Sequence, residues 1–158
     1  MKGFISYSHE DHRAFTTLCT HLKALERGYG LDFWADQRIS AGAHWTAEID
    51  KALKAAELFV LLVSPDFIAS DYVWNTELPA IEERRKAGAL VLPAVLKPCS
   101  WQMIAGVLQA VPMCDGHLRP ISRWTPIGDG YDQVREQIGQ AVERCFGLKS
   151  KAAIGGSW

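Results

Sequence analysis

The chain has 158 residues, enough for one domain with a sizeable core. Hydrophobic residues at 48% and charged residues at 22% are ordinary globular proportions and exclude bulk disorder. A formal net charge of -1 leaves no basic stripe of the kind that displaces counterions from nucleic acid, so no nucleic-acid partner is expected.

In chain order, Lys2 to Tyr7 reads as a buried strand. Ser8 followed by Asp11 has the pattern of a helix N-cap with an acid three residues on. Phe15, Leu18, Cys19, Leu22 and Leu25 then recur at helical spacing, and Gly28 and Gly30 end the helix. Leu31 to Trp34 is a second short strand. A polar loop, ADQRISAGAH, leads to a helix marked by Trp45, Ile49, Ala52, Leu53 and Ala56. Leu58 to Val63 is apolar on both faces, which predicts a central strand of a parallel sheet. A helical segment follows at about 75 to 87, then a fourth strand at Ala89 to Val95, with Pro93 better suited to a strand end or edge than to its middle. Residues 97 to 117 are irregular with one short helical piece, Leu118 to Ser122 is a candidate fifth strand, and Gly130 to Cys145 is a final amphipathic helix. The end, GLKSKAAIGGSW, reads as a linker or loose tail.

Alternation of strand and helix from start to finish predicts a doubly wound α/β sheet. Ligands of such sheets sit beyond the carboxyl ends of the strands. Ser6, Tyr7 and Ser8, the stretch Asp36 to Gly42, and the stretch Ser64 to Glu77 are therefore expected on one rim.

The apolar run Leu58 to Val63 is far too short to span a bilayer, and the first residues lack a signal-peptide pattern, so a cytoplasmic protein with no membrane partner is expected. Cys19, Cys99, Cys114 and Cys145 lack the paired spacing of a zinc ribbon and read as reduced thiols. His9, Glu10, Asp11 and His12 point in different directions on a helix and cannot all close on one ion, so they read as a capped first turn, not a metal site. The chain carries no G-x-S-x-G elbow, P-loop or G-x-G-x-x-G.

One segment stands out: SPDFIASDYVWNTELPAIEER, residues 64 to 84, which leaves the central strand at the ligand rim. It sets Tyr72 and Trp74 beside one carboxylate, Glu77. Pro79 lacks an N–H and clashes four residues back, so either the helix kinks or it begins near Thr76. In the second case Glu77 sits in the first turn, where free N–H groups favour its charge. A carboxylate beside flat aromatics suits a cationic, aromatic-containing ligand. The plainer alternative makes Tyr72 and Trp74 packing residues and Glu77 a solvated helix acid.

Four pieces in order, FISYSHED, DFWADQRISAGAHW, LFVLLVSPDFIASDYVWNTEL and PISRW with Asp129 and the last helix, resemble a TIR (Toll/interleukin-1 receptor) domain of the bacterial type over about residues 1 to 146. The resemblance implies a flavodoxin-like five-stranded parallel sheet in order 2-1-3-4-5 with helices on both faces, a TIR domain at 1–147 and a flexible tail or linker at 148–158. It implies one of two activities. Many bacterial members cleave NAD+ at the nicotinamide–ribose bond, as hydrolases or cyclases in immune, antiphage or other signalling. Others are non-catalytic scaffolds that bind further TIR domains. The family's catalytic glutamate matches Glu77. Ser6, Tyr7, Asp36 and Arg38 would lie beside the substrate with Tyr72 or Trp74, and Arg38, Ile39 and Gly42 belong to the loop through which neighbouring TIR domains touch. NAD+ would be the substrate, with no separate cofactor or metal, and a sensor domain or protein a further partner. Trp45 would pack under the loop. The family often spaces its Trp four residues before the Glu, whereas here Trp74 is three before and Tyr72 five before, so one residue reads as inserted.

Overall fold

The computed structural model describes residues 1–35, 45–106 and 108–152. Its most apolar stretch, β3 (Leu58–Val63), occupies the middle of the sheet, and all six residues are buried. β3 pairs in parallel with β1 (Lys2–Ser6) on one side and with β4 (Leu90–Val95) on the other. β2 (Asp32–Trp34) adds outside β1, again in parallel, giving the order β2-β1-β3-β4. Side chains of β3 alternate between two cores. Leu58, Val60 and Leu62 face α1 (His12–Tyr29) and α6 (Ile127–Phe146), where they meet Phe15, Leu18, Val134 and Ile138. Phe59, Leu61 and Val63 face α2 (Trp45–Ala55), α3 (Pro65–Ala69) and α4 (Leu78–Lys86), with Ile49, Leu53, Phe67 and Ile81. Helices on both faces explain why no polar residue interrupts β3: it would have no water to meet.

The fifth strand differs from expectation. Leu118–Ser122 does not join the sheet. That place is held by a single residue, Val111, bridged in parallel to Ala94. Its N–H donates to the Pro93 carbonyl at 2.8 Å and its carbonyl accepts the Val95 N–H at 2.9 Å. Two residues on, where a strand would pair again, the Gln137 amide from α6 accepts the Met113 N–H and donates to its carbonyl, and the ladder stops. Leu118 belongs instead to a hairpin of β5 (Met113–Cys114) and β6 (His117–Leu118), turned by Asp115 and Gly116, both at positive φ. Asp-Gly is a strong two-residue hairpin signal that the sequence reading passed over.

Pro93 sits mid-strand, but in the outermost strand of the four. The N–H groups of Leu90 and Leu96 point toward β3, and that of Val95 points outward to Val111. The missing N–H of Pro93 therefore falls on the outer side, where β3 loses nothing.

Ser8 caps a 3₁₀ turn, His9–Asp11, its Oγ accepting the Glu10 N–H at 3.3 Å, and α1 starts after it. Gly30, at φ 70°, closes α1 in the left-handed conformation that glycine adopts without strain. At the other end of the chain, Leu148 packs on the α1–α6 core and the Lys151 N–H donates to the Gly28 carbonyl at 2.9 Å. Among the described residues no helix is long and apolar enough to cross a membrane.

Candidate functional site

β1 and β3 are neighbours, yet the chain leaves β1 for α1 on one face and β3 for α3 and α4 on the other. Their carboxyl ends form the switch point at which doubly wound sheets open a crevice. Ser6, the last residue of β1, meets Glu77 there: its hydroxyl donates to Glu77 Oε2 at 2.7 Å. Glu77 is only 7% exposed, although it lies beyond β3 in a surface helix. A carboxylate so placed loses most of its hydration, and the Ser6 hydroxyl replaces part of it.

The helix that carries Glu77 runs over residues 71–86 and widens in its first part. Val73–Glu77 is a π turn, in which the Leu78 N–H reaches five residues back to the Val73 carbonyl. The helix neither begins at Thr76 nor places Glu77 in a first turn. The wide turn is how it accommodates Pro79, which has no N–H to bond four residues back. One partner of the Glu77 carboxylate is thus a hydroxyl from β1.

The two aromatics part company. Tyr72 is 41% exposed. Trp74, 37% exposed, donates its indole N–H to the Ile68 carbonyl at 2.6 Å. Its ring lines a groove of about 320 Å³ between α4 and α5 (Gln102–Ala105), together with Leu61, Pro79, Ile104 and Leu108. The Tyr7 ring stacks on Phe15 at 3.9 Å and belongs to the α1–α6 core. Of the residues singled out in the sequence, the structure therefore brings together Ser6 and Glu77. Asp36, Arg38, Ile39 and Gly42 lie outside the described residues, as does the side chain of Trp45; Ala35, buried after β2, delivers the chain to this rim.

Sequence reasoning missed a second buried contact on the same rim. Asp11, taken as a capping acid, turns inward, and its carboxylate accepts the hydroxyl of Ser64. The same Ser64 oxygen accepts the Phe67 N–H at 3.0 Å and caps α3, with Pro65 behind it. Serine then proline is a helix-start signal that could have been read; nothing in the sequence pointed to Asp11 as its partner. The buried polar residues among those described are Ser6, Ser8, Asp11, Ser64 and Glu77, all at the carboxyl ends of β1 and β3 or just beyond. Among the described residues no three His, Cys, Asp or Glu side chains converge in a way that could hold a metal ion.

Comparison with known proteins adds three findings. The family model described as TIR domain matches residues 4–125. An uncharacterized protein, y4lF of Sinorhizobium fredii, is 38% identical over 143 residues, which cover 89% of this chain. The chain spans 43% of that relative's length. The crystal structure of the TIR domain of the Toll-related receptor TRR-2 from Hydra magnipapillata superposes with a TM-score of 0.52 at 19% identity, over 72% of this chain and 84% of that one, a likeness of fold. Trp74 and Glu77, three residues apart, both lie in the π turn.

Proposed function

The chain belongs to the TIR domain family, and from that premise we propose that it cleaves NAD+ at the nicotinamide–ribose bond, with Glu77 as the reacting carboxylate. The observation that carries the reading is the Ser6–Glu77 contact: a buried carboxylate that accepts the Ser6 hydroxyl at the switch point of the sheet. Nicotinamide leaves NAD+ as a neutral base from a cationic precursor, so no general acid is needed. Its departure leaves an oxocarbenium-like ribose. A negative charge in a partly dry cleft stabilises that cation or bonds to it covalently. One carboxylate can then suffice where ordinary glycosidases need two. Ser6 orients the Glu77 carboxylate, and Tyr72, exposed and five residues before Glu77, offers a flat face for a substrate ring. Water reaching the ribose gives hydrolysis, and the adenine end reaching it first gives cyclisation.

This activity belongs to an assembly of TIR domains in a cytoplasmic signalling or immune effector, with Asp36 and Arg38 completing the substrate side and the Arg38–Gly42 stretch forming the contact between copies. A site shared between chains is complete only in the oligomer. The test is incubation with NAD+ over a protein-concentration series, with products separated by chromatography. Nicotinamide release with a specific rate that climbs with concentration is expected, and Arg38→Ala or Gly42→Ala should weaken assembly and cleavage together. A specific rate independent of dilution would sink the shared site. A non-catalytic scaffold is the second reading, favoured by the exposed Trp74 and Met103 near the apolar α4–α5 groove. No nicotinamide from concentrated or clustered protein would select it.

A further inference from the structure

Asp11 and Ser64 have no part in the chemistry above, yet both are buried and their side chains meet. Asp11 is 4% exposed and Ser64 fully buried. Isolated carboxylates are expensive to bury, and an apolar pair of similar size often holds two elements together equally well. Stability alone is thus a poor reason for this contact. Its place in the fold supplies another. Ser64 follows β3 and caps α3, so the Asp11 carboxylate fixes the hydroxyl that fixes the first turn of α3. α3 in turn holds the start of the wide turn. The Ile68 carbonyl accepts the Trp74 indole N–H, the Ser70 carbonyl accepts the Trp74 N–H at 3.2 Å, and Ser70 Oγ accepts the Val73 N–H at 3.4 Å. A π turn is a weakly held piece of helix, whose angle depends on what anchors its ends. The helix that continues the π turn is held near its own end, where the Arg84 guanidinium donates to the Ala56 carbonyl at 2.9 Å.

We propose that Asp11 is a positioning residue for Glu77, acting through Ser64 and α3 to set the angle at which the π turn delivers the carboxylate to Ser6. The catalytic part of this inference rests on the reading of Glu77 given above. The rim is then joined twice across β1 and β3, with the polarity reversed. In one link β1 gives the hydroxyl and the helix after β3 the carboxylate; in the other the segment after β1 gives the carboxylate and the residue after β3 the hydroxyl.

The experiment measures amide hydrogen exchange and nicotinamide release in Asp11→Ala, Ser64→Ala and Asp11→Asn. In both alanine variants the amides of Val73, Trp74 and Leu78 should exchange about tenfold faster, while those of Val134 and Ile138 in α6 stay as they were. The turnover number should fall about tenfold with KM nearly unchanged, because the substrate contacts remain and the reacting group is misplaced. Asp11→Asn keeps an oxygen for the Ser64 hydroxyl and should restore both readouts toward wild type. If Asp11→Ala does not fold, Ser64→Ala, which removes a single oxygen, decides the matter. Unchanged exchange at the π turn, an equal acceleration throughout α6, or an asparagine variant as impaired as the alanine one would each overturn the proposal. If the wild type releases no nicotinamide, the reading of Glu77 as a reacting group fails, and the exchange data alone decide whether Asp11 sets the turn.

Discussion

The two edges of the sheet treat polar groups in opposite ways. At the amino edge they stay in water: Lys2 and Asp32 pair at 2.7 Å with both side chains exposed, and the Tyr29 hydroxyl reaches Glu143 at 2.6 Å on the surface. At the carboxyl edge Ser6, Ser8, Asp11, Ser64 and Glu77 are all taken out of solvent. Exposed pairs cost little to form and contribute little. Buried ones lose hydration, and only good geometry recovers it. A sheet that had only to hold together could use the first arrangement at both edges. The costlier one is confined to the switch point, where a carboxylate with less water around it exerts a stronger field on a ligand.

The largest effect expected is on what the two edges share. Phe59, the second residue of β3, is fully buried, and Phe59→Ala should cost about 3–5 kcal/mol in urea unfolding. Fluorescence and circular dichroism should report one transition. Two separate transitions would mean that the edges belong to independently stable parts and that comparing them within one unit is mistaken. Next comes Glu77→Gln, which acts on the carboxyl edge alone. The amide can still accept the Ser6 hydroxyl, so melting temperature and elution volume should hardly move. Losing the charge should slow nicotinamide release by about 10²–10³. Cleavage retained in the glutamine form would show that Glu77 is the wrong carboxylate.

Ser6→Ala should fall below that. The charge remains but its donor is lost, and a hydrogen bond to a charged group is worth about 1.5–3 kcal/mol, or about 10- to 100-fold in rate. A loss equal to that of Glu77→Gln would mean that Ser6 touches the reacting atoms itself and does more than orient the carboxylate.

How far these edges can be read from the sequence follows from the range of the interactions. β3 was legible because six apolar residues in a row leave a strand only one place, between two layers of helices. Glu77 was legible through its segment, and Pro79 announced that the helix could not be regular. The form of the irregularity was not legible. A π turn, a kink and a late start all satisfy Pro79, and the contact that Glu77 makes lies with Ser6, 71 residues away in sequence, where no local pattern points. The same holds for Asp11 and Ser64, 53 residues apart: Asp11 reads locally as a capping acid, and nothing near Ser64 points to its partner. The strand expected at Leu118 to Ser122 gave way to a distant contact too: Leu118 pairs with Met113 in a hairpin, and beside the sheet Gln137, from the last helix, takes the Met113 backbone groups where a ladder from Val111 would continue.

The smallest effect tests the amino edge. The Tyr29 hydroxyl donates to Glu143, joining the ends of α1 and α6, and that bond, followed by partial burial, holds the Tyr29 phenol above its ordinary value of 10.0. Tyr29→Phe removes the hydroxyl and keeps the ring. Because the pair is on the surface, the loss should be about 0.5–1 kcal/mol, well short of what a buried partner would give. The sign with pH follows from the raised value. The folded state holds the phenolic proton more tightly than the unfolded chain does, so the contribution is fully present below pH 10 and is lost as pH rises through the higher folded value. Tyr131, also raised, chiefly by burial, remains in both proteins and cancels in the difference. Urea unfolding of wild type and Tyr29→Phe, compared at pH 7 and again well above pH 10, should show the gap closing as pH rises. A gap that persists or widens there would show that the edge is held by ring packing and not by the hydroxyl. A gap at pH 7 as large as that of a buried bond would erase the difference between the two edges.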